Sequence, residues 1–163
     1  MGKIFVFDID DTLIIHSPTA ADYYKEDKKN TGLKKLMNGI GADRIYIYTN
    51  GTYSHGEGVI NALNLTNDIK KIYARDTIPF MKPLMGSFTF VNNEILQDNY
   101  QLLNETYFFD DMVDNLRTAK KVGWKTIWIS PQYKNYTNYP DIIDYAFPNI
   151  YEALLYFNQK KYY

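Results

Sequence analysis

The chain has 163 residues, enough for one substantial core and short for two domains, so a single domain over 1–163 is expected. Lysine and arginine total 18 against 19 acidic residues, and the formal charge of −1 gives no global electrostatic pull toward nucleic acid or anionic lipid. The composition is 45% hydrophobic and 17% aromatic with no cysteine, which excludes disulfides, and no apolar run approaches the roughly 20 residues of a membrane helix.

No basic region, apolar signal core or cleavage site precedes the first apolar run, so a soluble, cytoplasmic protein without membrane partners is expected. Abundant tyrosine, asparagine, isoleucine and lysine fit an AT-rich coding sequence, as in large DNA viruses and low-GC microbes. The lysine doublets, Lys28-Lys29 through Lys160-Lys161, are dispersed and read as solvated faces or strand entries.

In chain order, the run Ile4-Phe5-Val6-Phe7 reads as a fully buried strand that ends abruptly in Asp8, Asp10 and Asp11. A polar stretch from His16 to Asn30 precedes a short helix from Leu33 to Ile40, closed by Gly41. The second strand, Ile45-Tyr46-Ile47-Tyr48, stops at Thr49-Asn50-Gly51, and a helix from Gly58 to Leu65 leads to a third strand at Ile69 to Tyr73. Pro79, Pro83 and Gly86 mark residues 75–92 as irregular, and a helix is expected from Asn93 to Leu103. The fourth strand, Tyr107-Phe108-Phe109, runs into Asp110-Asp111, and Leu116, Ala119 and Val122 at helical spacing follow, with Gly123 as terminator. A fifth strand, Thr126 to Ile129, is followed by a tyrosine-rich loop over 132–140 and a short strand at Tyr145-Ala146. Asn149, with Glu152 three residues on, caps a last helix whose inward stripe is Ile150, Leu154 and Phe157. Alternating strands and helices predict a doubly wound, three-layer α/β/α Rossmann-like fold with a parallel central sheet.

In such a sheet all carboxyl ends share one edge, so the polar residues closing strands one, two and four converge although about 40 and 60 residues apart. Alone, the first acids fit either a solvated acidic turn or a cation site. Thr49 also reads as a strand-end hydroxyl, Lys82 as a surface lysine, and Asp110-Asp111 as a helix cap. Together they suit one purpose: carboxylates for a hard divalent cation, a hydroxyl and amides for an anion's oxygens, and a lysine to balance charge.

These segments resemble the motifs of haloacid dehalogenase (HAD) superfamily phosphatases. Phe7-Asp8-Ile9-Asp10-Asp11-Thr12-Leu13 is similar to the first motif, Thr49 in Tyr48-Thr49-Asn50-Gly51 to the second and Lys82-Pro83 to the third. Phe108-Phe109-Asp110-Asp111 with Asn115, Ala119 and Gly123 is similar to the fourth, above all in its pyrimidine 5′-nucleotidase branch. The resemblance, from Ile4 to about Leu155, implies a HAD-like hydrolase that cleaves a phosphomonoester through an aspartyl-phosphate. Asp8 would be the nucleophile and Asp10 the acid and base. Mg2+ would be held by the Asp8 side chain, the Asp10 carbonyl and Asp111, with Asp110 in support. Thr49, Asn50 and Lys82 would bind the phosphoryl group, and Asn115 would stand beside the metal. An acid two residues after the nucleophile separates the superfamily's phosphatases from its dehalogenases.

Only 36 residues lie between Leu13 and Asn50, so the resemblance departs from capped members, and residues 14–31 are expected to form at most a flap. An open site would also admit a phosphoprotein tail or a nucleic-acid 3′-phosphate, but the fourth motif favours a small phosphomonoester such as a nucleoside monophosphate. A non-catalytic binding module on the same fold is the alternative of another class. Tyr23, Tyr24 and the 132–140 tyrosines read as core or surface aromatics rather than a base-stacking platform, and His16 and His55 as loop residues rather than catalytic bases.

Overall fold

The computed structural model describes residues 2–15, 32–100 and 104–160. Six strands, β1 (Gly2–Phe7), β2 (Arg44–Tyr48), β3 (Lys71–Tyr73), β4 (Asn104–Asp110), β5 (Lys125–Ile129) and β6 (Tyr145–Phe147), form one sheet in the order β3-β2-β1-β4-β5-β6. Every pairing is parallel, as the uninterrupted apolar runs require. The order reverses between β1 and β4, which opens a crevice at their carboxyl ends.

Successive strand residues point to opposite faces, and each face has its own core. Phe5, Phe7, Ile45, Ile47, Phe109 and Ile127 pack under α1 (Gly32–Gly39), α2 (Tyr53–Ala62) and α5 (Ile150–Lys160). Ile4, Val6, Tyr46, Tyr48, Phe108 and Trp128 pack under α3 (Met85–Asp98) and α4 (Val113–Lys121). Helices on both faces complete the predicted doubly wound, three-layer arrangement.

Local signals explain most boundaries. The Asn149 side chain accepts from Glu152 N at 3.0 Å, and the expected stripe Ile150, Leu154 and Phe157 is buried. Helix α4 ends in a Schellman motif: Trp124 N donates to Ala119 O (3.2 Å) and Gly123 N to Lys120 O (3.0 Å). That motif needs a left-handed residue, supplied by Gly123 at φ +89°.

Three expectations are corrected. Helix α2 begins at Tyr53, not Gly58, because Thr52 caps it through His55 N (3.2 Å). Helix α3 begins at Met85, within the segment read as irregular, and ends at Asp98. Pro83 and Gly86 do not break it: Pro83 precedes it, and Gly86 gives Phe80 room, since a Cβ there would lie 3.0 Å from that ring. The 132–140 loop contains a 3₁₀ segment, Tyr133–Asn138, after which Tyr139 packs edge-on against Trp128. The flap expected over 14–31, with His16, Tyr23 and Tyr24, lies outside the described residues apart from Ile14 and Ile15.

Asp144 ties the β5–β6 side of the sheet together. Its carboxylate accepts from Lys120 Nζ at 2.6 Å and from Thr126 N at 2.9 Å. Burial pushes its pKa up, but the bonds from Lys120 and Thr126 outweigh burial and hold it below the usual carboxylate range. The stabilisation is therefore full above the unfolded value of about 3.9 and is lost as pH falls through the lower folded value. Asp144→Asn should cost about 1 kcal/mol at pH 6, a figure already reduced for solvent screening, and much less at pH 3. Urea unfolding of both proteins at the two pH values checks this.

Candidate active site

The sheet's central pairing sets the site. Asp8 N donates to Phe109 O at 3.0 Å, extending the β1–β4 ladder by one residue and bringing Asp8 beside Asp110. Beyond Asp8 the chain turns sharply, with Thr12 N, Leu13 N and Ile14 N all donating to Ile9 O at 2.9–3.2 Å. Asp11 takes the left-handed conformation (φ 61°), which a short polar side chain tolerates. The Thr12 hydroxyl returns to Asp8 Oδ2 at 3.1 Å.

Lys82 is not a surface residue; it is 3% exposed. Its ammonium donates to Asp110 Oδ2 (2.9 Å), Asp8 Oδ1 (3.1 Å) and Tyr48 O (2.8 Å), and it lies 4.9 Å from the Tyr48 ring centroid. Two elements hold the Lys82 segment in place. The Asn50 amide pairs reciprocally with the Lys82 main chain, Lys82 N to Oδ1 and Nδ2 to Lys82 O, both at 2.9 Å. Thr118 of α4 donates to Pro83 O at 2.8 Å. Asn50 is thus a clamp on the lysine, a role its motif position did not disclose. Asn50→Ala should cost about 1–2 kcal/mol, measured by urea unfolding.

Asp110 is fully buried and accepts three bonds, from Lys82 Nζ, from Asn115 Nδ2 (3.1 Å) and from Met112 N (2.8 Å). Thr49 Oγ1 accepts from Gly51 N at 3.0 Å, so the hydroxyl's own hydrogen is directed elsewhere. Asp8, Asp10, Asp11, Asn50, Gly51, Lys82, Asp111, Met112 and Asn115 line a cavity of about 210 Å³. The structure thus brings together the sequence-predicted Asp8, Asp10, Asn50, Lys82 and Asp111 in one cavity, with Asp110 and Thr49 directly behind.

Electrostatics show what the cavity lacks. Burial and the neighbouring Asp110 raise the Asp8 pKa to about 6, against the opposing pull of Lys82. Burial, then Asp110 and Asp8, raise Asp111 to about 8. Burial disfavours the Lys82 charge, but the two carboxylates outweigh it and hold its pKa above the usual range. One ammonium among three acids leaves negative charge uncompensated. Oxygens of Asp8, Asp110 and Asp111 lie within 4.8 Å of one another, a grouping able to hold a cation. The donors are all hard oxygens beside a cavity with room for water, which fits magnesium. Asp8 and Asp111 line the cavity, whereas Asp110 is fully buried behind it, so Asp8 and Asp111 are the better direct ligands.

One residue was missed. His55, expected in a loop, occupies the first turn of α2, and its Nε2 lies 3.0 Å from Asp10 Oδ1. The usable signal was Thr52, whose capping hydroxyl starts the helix early enough to place His55 at the strand ends.

Comparison with known proteins agrees with this architecture. No protein-family model and no curated protein matches the chain. Among solved structures, YfnB of Bacillus subtilis, provisionally described as a HAD hydrolase and crystallised with magnesium, matches with a TM-score of 0.68 at 17% identity, covering 96% of this chain and 99% of that one. A Thermotoga maritima protein, provisionally described as a beta-phosphoglucomutase, matches at 0.72 and 11% identity, covering 98% and 99%. The L-2-haloacid dehalogenase of Xanthobacter autotrophicus, with chloropropionic acid covalently bound, matches at 0.64 and 12%, covering 95% and 98%. These neighbours are HAD-superfamily proteins, and at such identities they establish the fold: the chain adopts the HAD-like, Rossmann-type α/β architecture. No helix among the described residues is long and apolar enough to cross a membrane.

Proposed function

We propose that the chain is a magnesium-dependent phosphatase that hydrolyses a small phosphomonoester, a nucleoside monophosphate being the first candidate, through an aspartyl-phosphate on Asp8. The observation that carries this reading is the sharing of one cavity by three groups: the Asp8 carboxylate, the buried Lys82 ammonium beside it, and the partly exposed Asp10 carboxylate. Bound magnesium would offset the negative charge of the acids and of the transferring phosphoryl group.

Asp8 attacks phosphorus while the bond to the leaving oxygen breaks, and the Asp10 proton passes to that oxygen. Water then attacks the phosphorus, its proton goes to Asp10, and the bond to Asp8 breaks, releasing inorganic phosphate. Lys82 holds one Asp8 oxygen and neutralises charge throughout, and the Thr49 hydroxyl hydrogen is available for a phosphoryl oxygen. Asp10 supports phosphate over halide chemistry, because an alkoxide leaving group needs a proton donor and a halide does not. The Asp110-Asp111-Asn115-Gly123 pattern supports the choice of a nucleotide-like substrate.

The test is phosphate release from a generic aryl phosphate, with and without magnesium. Turnover that appears with magnesium and disappears with chelator supports the reading. No turnover on aryl phosphate, nucleoside monophosphates or sugar phosphates would overturn it in favour of a binding module.

A further inference from the structure

We infer that His55 is a positioning residue for proton transfer by Asp10, an inference that rests on the phosphatase reading above. The imidazole Nε2 lies 3.0 Å from Asp10 Oδ1, and the two side chains are 32% and 33% exposed, at the mouth of the cavity rather than in its buried floor. A carboxylate only accepts, so Nε2–H donates. With the carboxyl protonated on Oδ2, Oδ1 remains an acceptor and the same bond is retained.

Three features fix the ring. Its main chain sits in the first turn of α2, where His55 N donates to the Thr52 cap. Gly51 leaves space for it: a Cβ on that glycine would lie 3.1 Å from His55 Cδ2, 3.3 Å from Thr49 Oγ1 and 3.7 Å from Asp10 Oδ2. Gly51 is itself held, its N–H on Thr49 Oγ1 and its carbonyl accepting from Arg75 N at 3.0 Å. The helix that follows β2 therefore reaches across the glycine turn to hold the carboxyl that follows β1. Asp10 stands on a turn, and the bond from His55 restrains its carboxyl from outside that turn. That sets the direction in which the proton is offered to the leaving oxygen.

Such a role has a kinetic signature that a merely structural residue lacks. An aryl leaving group departs with little help from an acid, whereas an alkyl oxygen needs its proton in the transition state. His55→Ala should therefore lower kcat on an alkyl phosphate such as glycerol phosphate about 10–100-fold more than on p-nitrophenyl phosphate, with KM nearly unchanged. His55→Gln, which can still donate to Asp10, should recover most of the alkyl rate. As a readout independent of turnover, the His55 ring signals in a nitrogen-15 NMR spectrum should shift in Asp10→Asn. Equal losses on both esters, or His55 signals unmoved in Asp10→Asn, would overturn the inference while leaving the phosphatase reading intact. A wild-type protein inert toward both esters, and toward nucleoside monophosphates and sugar phosphates, would instead overturn the phosphatase reading, and the catalytic role of His55 with it.

Discussion

Asp8→Asn should abolish turnover of an aryl phosphate, by about 10³-fold or more, while the fold without divalent cation stays as stable as wild type or becomes more so. The two halves have one cause. Of the two acids bonded to Lys82, Asp110 is fully buried with three hydrogen bonds, whereas Asp8 lines the cavity, so on the phosphatase reading Asp8 is the carboxylate placed to attack. Its pKa in the fold, about 6, is above the unfolded value of about 3.9, so the native state binds that proton more tightly. The group therefore favours folding most at low pH, and this contribution is lost as pH rises through about 6. At neutral pH the ionised carboxylate opposes folding, and an amide of the same shape removes the cost. Lys82 keeps Asp110 as partner. Steady-state kinetics and thermal unfolding in chelator check both halves; wild-type turnover in the variant would remove Asp8 from the chemistry.

Lys82→Met should destabilise the protein by about 3–5 kcal/mol, the penalty for leaving a buried charge without its partner. Here the penalty falls on two carboxylates, since Asp8 and Asp110 both accept from the same ammonium and raise each other's proton affinity once it is gone. The Tyr48 carbonyl loses a donor as well. Adding Asp110→Asn to Lys82→Met should return a large part of the loss, because the double variant buries one fewer unpaired charge. Urea unfolding of the four proteins in this cycle measures the coupling. A loss under about 1 kcal/mol in Lys82→Met would mean that the ammonium is not the counter-charge of the site.

The sequence disclosed the sheet better than the helices. The runs ending at Phe7, Tyr48 and Phe109 are apolar because both faces of the sheet are covered, and their shortness and β-branched and aromatic content favour strands over buried helix. The acids after them were legible for the same reason: a charge directly after a buried strand has to emerge at its end. Helix α3 was obscured because its N-cap, Leu84, makes no side-chain cap bond and stands beside Pro83 and Gly86. Helix α2 was read from Gly58, five residues late, because the Thr52 cap was not recognised as its start. The His55–Asp10 bond spans 45 residues and depends on the phase of a helix whose start was misplaced. The Asn50 clamp was hidden because a residue's type shows that it can form hydrogen bonds and does not show which main chain it meets.

The β1–β4 pairing also has a consequence in time. Asp8 and Asp10 leave the ribosome about 100 residues before Asp110 and Asp111, and β1 can meet β2 long before it meets β4. Until β4 docks between β1 and β5, the nascent chain carries half of a charge cluster, with Lys82 already made and Asp110, the acid nearest it, still to come. The acids converge only when the longest-range pairing of the sheet is complete, so a chain stalled before β4 offers a cation little more than a solvated turn. Cation uptake during refolding should therefore mark the closing of the sheet's centre, as a late event rather than a nucleus.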